Sequence, residues 1–427
     1  MSALPGVVNG RLANFARIDR GALARVWRAI DGEGDETRLV GGAVRDLALG
    51  LPAQDFDFAT TATPDRVTRR AEAAGFKVVP TGFEHGTVTI VADGRPFETT
   101  TLRQDVETDG RRAKVTFGRD FAADARRRDF TINALSLDAQ GALHDAVGGL
   151  EDLARRRVRF IGDARTRVRE DYLRILRFFR FSARFSEGAL DAEGLSACIA
   201  EREGLAILSR ERVRAETLKW LDAPLASETM TAASEAGLAQ RIFASATEPQ
   251  RLRRLTIIEA ARGARGDALL RLAALCVRVI EDAERLRDTL RLSNAESERL
   301  EAVGRALPAL HGLLKPPSLG DLRRLLFTLK RQTARDLVAL VHADSGARPD
   351  DERFLSADRF LEATPEPRLP IGGAEILARG VAGGQKVGET LKTLQALWIR
   401  AGFPKEPEAL ARLLDQAIAE TEQTRRA

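Results

Sequence analysis

Residues 38–61 read Arg38-Leu39-Val40-Gly41-Gly42-Ala43-Val44-Arg45-Asp46-Leu47-Ala48-Leu49-Gly50-Leu51-Pro52-Ala53-Gln54-Asp55-Phe56-Asp57-Phe58-Ala59-Thr60-Thr61. An apolar run ends at Val40. Gly41 and Gly42 allow a sharp turn and a close backbone approach to a ligand. Ala43 to Leu49 favours helix, and Gly50 with Pro52 stops it. The spacing therefore predicts strand, glycine turn, short helix, second strand. Free N–H groups at the helix start suit phosphate, and Arg45 adds a charged fork. Asp55 and Asp57 lie two apart on the second strand, so they share a face, while Phe56 and Phe58 face a core. Paired carboxylates repel unless a cation lies between them. Mg²⁺ takes carboxylate oxygens together with substrate phosphates, so this pattern is equipped for two-metal nucleotidyl transfer.

Downstream, Pro64 to Ala74 reads as a helix, then strands are expected at Phe76–Val79, Gly86–Ala92 and Pro96–Arg103. Glu98 on the last of these reads either as a third carboxylate or as an ordinary exposed strand residue. Residues 104–124 read as a mobile polar loop around Asp109-Gly110-Arg111-Arg112. Short strands are expected at 135–138, 142–145 and 158–161. From Asp163 onward the pattern is helical. Asp171, Arg174 and Arg177 fall every third residue, predicting one helical stripe, with Ile175, Leu176 and Phe179 on a core face. The stripe reads as a binding surface or as intrahelical ion pairs; Arg180 drifts off it, toward phosphate or structure. His311 and His342 read as structural.

The chain has 427 residues, 44% hydrophobic and 30% charged, which fits several globular domains. Net charge is +5, unevenly placed. Residues 155–184 hold eleven arginines against Asp163, Glu170 and Asp171, a local +8 that leaves −3 elsewhere. Such concentration points to a polyanionic partner. Two distant cysteines, Cys198 and Cys276, argue against a disulfide framework or zinc site and for a reducing compartment. Neither a signal peptide nor an 18-residue apolar span is visible, so a cytoplasmic location without membrane contact is expected, and no obligate protein partner is evident.

Five blocks in order resemble the bacterial CCA-adding tRNA nucleotidyltransferases of the class II nucleotidyltransferase superfamily, relatives of bacterial poly(A) polymerases. They are the opening stretch, Arg127-Arg128-Asp129-Phe130-Thr131-Ile132-Asn133-Ala134, Asp145 to Leu153, Glu170 to Arg177, and Leu208 to Glu216. The resemblance implies an α/β head with a mixed five-stranded nucleotidyltransferase sheet, followed by an all-α neck, body and tail. The divisions are 1–162, 163–222, 223–350 and 351–427. It implies Mg²⁺ on Asp55 and Asp57, with Glu98 as a further catalytic carboxylate. Gly41, Gly42, Arg45 and Arg128 would cradle the nucleotide and Asp129 its ribose. Asp171, Arg174, Arg177 and Arg180 would bind base and triphosphate. The implied reaction is addition of CCA to tRNA from CTP and ATP. Thr81 to Thr89 resembles the CCA-adding pattern rather than that of poly(A) polymerases, and residues 104–126 are not shortened as in CC-only enzymes. The same-fold alternatives are poly(A) polymerase or a CC- or A-only enzyme; the remaining alternative is an inactive RNA-binding relative.

Overall fold

The computed structural model describes residues 4–18, 20–109 and 112–424, which divide into two compact units, 1–242 and 243–427. The first opens with a small hairpin, β1 (Val7–Val8) and β2 (Arg11–Leu12), and helices α1 (Phe15–Ile18) and α2 (Gly21–Ile30). Next come β3 (Thr37–Val40), α3 (Gly42–Ala48), β4 (Asp57–Thr60) and α4 (Pro64–Ala73). Strands β5 (Lys77–Gly82), β6 (Thr87–Ala92) and β7 (Arg95–Thr101) follow. Then come β8 (Arg103–Asp109), β9 (Arg112–Phe117) and α5 (Phe121–Arg126). Two-residue strands β10 (Ser136–Leu137) and β11 (Leu143–His144) complete the strands.

The main sheet has seven strands, ordered β11-β10-β3-β4-β7-β6-β5, rather than the expected five. The two extra strands are the short β10 and β11, which extend the β3 edge. All neighbours are antiparallel except β4 and β7, whose parallel register pairs Phe58 with Thr99. Alternation assigns the two faces. Phe58, Ile90 and Phe97 are buried, and Trp27 of α2 meets the Phe58 ring edge-on at 5.5 Å. Asp57 and Glu98 each precede a buried partner of the Phe58–Thr99 pair, so both point to the opposite, open face.

Three local expectations change. Asp55 lies before β4, which starts at Asp57, so the two carboxylates are not both strand residues. The predicted loop is largely a hairpin, β8 with β9; its sequence is mostly polar, without the apolar alternation that announces a strand, and Gly110 and Arg111 lie outside the described residues. The strand expected at 158–161 is only an isolated bridge between Phe130 and Phe160.

The rest of this unit is helical: α6 (Gly149–Ala154), α7 (Ala164–Glu170), α8 (Leu173–Phe185), α9 (Ala192–Ala200), α10 (Arg210–Leu221), α11 (Ala226–Glu235) and most of α12 (Leu238–Phe243). Ile175, Leu176 and Phe179 are fully buried as expected, and so is Phe178. An aromatic ladder fixes α8 to both neighbours. Phe130 to Phe160 is 4.8 Å, Phe160 to Phe178 is 5.6 Å, Phe178 to Phe179 is 5.5 Å, and Phe179 to Trp220 of α10 is 5.0 Å. The predicted stripe is interrupted, because α7 ends at Glu170 and Asp171 is extended, with φ −156° and ψ 106°. Of the four expected base- and triphosphate-binding residues, Arg174, Arg177 and Arg180 ride on α8 and Asp171 precedes it.

The second unit is described by helices alone, including Pro249–Ala261, Ala268–Cys276 and Arg331–Ser345. Its cores gather Leu322, Leu326, Val338 and Phe354, and separately Ile376, Leu394 and Leu414. His342 is structural: its ring lies flat on Phe354 at 4.2 Å, and burial holds its pKa below the ordinary value. His311 instead lies exposed after a short turn.

Candidate active site

At the β3–α3 junction Gly41 has φ 76° and ψ −136°, a conformation open to glycine. A Cβ there would stand 3.1 Å from Arg128 Nη1. The Gly41 N–H donates to the Leu135 carbonyl at 3.2 Å, which leaves Gly42 to begin the helix. Arg45 is not a free fork. It is buried, donates to Asn133 Oδ1 at 2.6 Å and to Asp46 at 2.8 Å, and stacks 4.0 Å from the Phe185 centroid. Its effect on this site is therefore carried through Asn133.

Below this turn lies a cavity of about 290 Å³ walled by Asp57, Glu98, Thr87, Thr100, Arg103 and Arg128, among others. Burial, then the charges of Glu98 and Asp55, push the Asp57 carboxyl above its ordinary pKa, although part of its surface meets solvent; Arg128 pulls the other way. Arg128 is held from below by Asp124, with Nη2 to Oδ2 at 3.1 Å. Among the described residues no three His, Cys, Asp or Glu side chains converge closely enough to enclose a metal ion. Larger clefts occur in the second unit; one of about 540 Å³ is lined by Arg335–Asp358 and similar ion pairs that already neutralise one another. The smaller cavity sets Asp57, Glu98 and Asp124 against Arg103, Arg127 and Arg128, with Asp124 already engaged by Arg127 and Arg128.

Adjacent to Arg128, Asp129 begins a relay of charges. Its Oδ1 accepts from Asn133 Nδ2 at 3.2 Å, and its Oδ2 accepts from Arg177 Nε at 2.7 Å. Glu216 of α10, itself buried, lies 3.9 Å from Arg177 and 2.7 Å from Arg180. The Arg180–Glu216 approach lacks hydrogen-bond alignment, so it is a contact of charges. Burial lowers the Arg180 pKa, with Glu216 opposing the shift. Phe181 lies beneath both guanidiniums, at 5.2 Å from Arg177 and 4.1 Å from Arg180.

Asp171 and Arg174 do not pair with each other. Asp171 Oδ2 accepts from Arg212 Nη2 at 2.7 Å, while Arg174 binds Glu170 and the Arg167 carbonyl, the latter at 2.8 Å. Asn133, Arg212 and Glu216 had no role assigned by spacing. The one signal available was chemical: an arginine-rich helix needs buried acids and amides opposite it.

A glycine turn, two carboxylates on one open face of the neighbouring central strands β4 and β7, and an arginine-rich helix joined through one buried acid define a nucleotidyltransferase-type head. The Poly A polymerase head domain family matches residues 37–159. A CCA tRNA nucleotidyltransferase 1, mitochondrial, from Danio rerio is 34% identical over 397 residues, covering 90% of this chain and 88% of that protein. A CCA-adding enzyme from Geobacillus thermodenitrificans is 32% identical, covering 90% and 94%. The solved Bacillus stearothermophilus CCA-adding enzyme in complex with CTP superposes with a TM-score of 0.70 at 27% identity, covering 93% and 97%. The chain belongs to the CCA-adding tRNA nucleotidyltransferase family.

Proposed function

We infer that this chain adds C, C and A to the 3′ end of tRNA, taking the nucleotides from CTP and ATP and releasing pyrophosphate, with no nucleic-acid template. The observation that carries the reading is the cavity in which Asp57 and Glu98 face Arg128, joined through Asp129 to the Arg177–Glu216–Arg180 relay.

The donor set fits Mg²⁺. Asp55, Asp57 and Glu98 offer hard oxygens, and the raised Asp57 pKa marks negative charge that a cation would relieve. Two carboxylates with the remaining ligands from substrate phosphates is the usual Mg²⁺ arrangement. Asp55 and Asp57 would hold the ion and Glu98 would support them; bound there, Mg²⁺ supplies Lewis-acid activation of the tRNA 3′-hydroxyl and charge neutralisation of the triphosphate. The protein's own groups do the rest. Gly41 keeps the wall open beside Arg128, Gly42 starts the phosphate-facing helix, and Arg128 meets phosphate charge. Arg45 holds Asn133, which with Arg177 fixes the Asp129 carboxylate for a ribose hydroxyl. Arg180 adds positive charge behind it.

Base choice follows from donor and acceptor chemistry. Cytosine and adenine each present an amino donor beside a ring-nitrogen acceptor; uracil and guanine present the reverse. An Asp171 acceptor beside an Arg174 donor accepts the first pair and rejects the second. The base edge would replace Arg212 at Asp171 and Glu170 at Arg174. A cytoplasmic setting fits the two buried free thiols, Cys198 and Cys276. Among the described residues no helix is long and apolar enough to cross a membrane.

Asp55→Ala tests the metal assignment: nucleotide addition should vanish while tRNA binding, measured without Mg²⁺, stays within about twofold. A variant that still extends tRNA at the wild-type rate would overturn it.

A further inference from the structure

The open sheet face continues beyond Glu98, away from the glycine turn. In the antiparallel register Glu98 stands opposite Thr89, and Thr100 opposite Thr87. These threonines therefore share the carboxylate side. Thr87 and Thr100 hydroxyls are 3.0 Å apart, and Thr89 is 2.8 Å from Thr81 of β5. Thr89 is buried, so the open hydroxyls on this side are those of Thr87 and Thr100 beside the acid pair and of Thr81 at the sheet edge.

Two phenylalanines stand at the rim of this face. Phe83 is 39% exposed and Phe117 is 43% exposed, whereas Phe58, Phe97, Phe130 and Phe160 are at most 3% exposed. Phe117 pairs across the β8–β9 hairpin with Arg103, a wall residue of the active-site cavity. Its ring rests on Gly86, where a Cβ would come 3.1 Å from Cε1 and where φ is +84°. Gly86 closes the turn that begins at Phe83 and precedes Thr87, another wall residue. Both rings are thus tied, through Gly86, Thr87 and Arg103, to the wall of the cavity that also holds Glu98.

Phosphoryl transfer places the attacking oxygen and the leaving group on opposite sides of the phosphorus. With the triphosphate held on the Arg128 side, the attacking hydroxyl comes over β7 and β6. We propose that the unpaired 3′ end of the tRNA acceptor lies on this face, with Phe83 and Phe117 stacking its terminal bases and the open threonine hydroxyls meeting ribose 2′-hydroxyls. Exposed aromatic rings hold single-stranded bases without regard to sequence, and a 2′-hydroxyl both donates and accepts hydrogen bonds. This rests on the nucleotidyltransferase reading above.

The test uses the full chain and tRNA lacking its CCA end, with 2-aminopurine as the last base. In Mg²⁺-free buffer, wild-type protein should quench the probe, and Phe83→Leu with Phe117→Leu should abolish the quenching. In the extension assay each leucine variant should raise KM for tRNA about tenfold and leave KM for CTP within twofold. Phe117→Trp should restore both readouts, and melting temperatures should move by no more than about 2–4 °C, since both rings are partly exposed. Retained quenching and an unchanged tRNA KM in the double variant would overturn the stacking surface alone. A wild-type protein that neither binds nor extends tRNA would overturn the function reading with it.

Discussion

Replacing Glu216 with Gln removes one negative charge beneath two arginines while keeping the side chain's size. Glu216 is 2.7 Å from Arg180 and 3.9 Å from Arg177, with side-chain exposures of 8%, 18% and 31%. Because the Arg180 contact is charge without hydrogen-bond alignment, the neutral amide restores little of it. At roughly 4 Å between charge centres and an effective permittivity of about 20, the attraction is about 4 kcal/mol. Breaking a buried pair costs about 3–5 kcal/mol, because the partner charge stays behind. The residual exposure of the arginines favours the lower end, about 3 kcal/mol. For a unit of this size that lowers the melting temperature by roughly 6–12 °C. Calorimetry on the full chain measures it, and KM for CTP should rise as Arg177, still held by Asp129, loses its second acidic neighbour. A shift under about 2 °C with unchanged KM would show that Glu216 neither supports α8 nor organises the arginines.

The raised Asp57 pKa carries a stability consequence. A carboxyl whose folded pKa exceeds its unfolded value favours folding below the unfolded value and loses that contribution as pH rises through the folded one. In Mg²⁺-free buffer Asp57→Asn should therefore melt higher than wild type near pH 7, the advantage shrinking as pH falls through the carboxylate range, while addition is lost; thermal melts at several pH values decide it. For base choice, Asp171→Ala should reduce discrimination of CTP over UTP about ten- to hundredfold, the equivalent of about 1–3 kcal/mol for an unpaired polar group. Single-nucleotide kinetics read this out, and unchanged selectivity would remove Asp171 from base reading.

The β3–turn–α3–β4 segment was readable because glycines, an apolar run and a two-residue carboxylate spacing act locally. Phe179 was readable as core from helical period alone. The break at Asp171 was less legible: Asp favours helix starts, and its Oδ1 accepts from the Leu173 N–H at 3.1 Å, but the three-residue spacing to Arg174 and Arg177 read as one continuous helix, and distant groups also hold the break. Asp171 is held by Arg212, and the Tyr172 ring lies against Gly204, where a Cβ would come within 2.0 Å. Arg45 shows the same limit: its sequence position suits phosphate, yet its donors go to Asn133 and Asp46. The β8–β9 hairpin was hidden because its sequence is mostly polar and lacks the apolar alternation by which a strand is read.

Extension of tRNA lacking its 3′ end, with Mg²⁺ and CTP alone, ATP alone, or both, tests the central claim most directly. Two added residues with CTP, and a third only when ATP is also present, are predicted. A long tail from ATP alone, a stop after two residues with both nucleotides present, or no addition at all would contradict it.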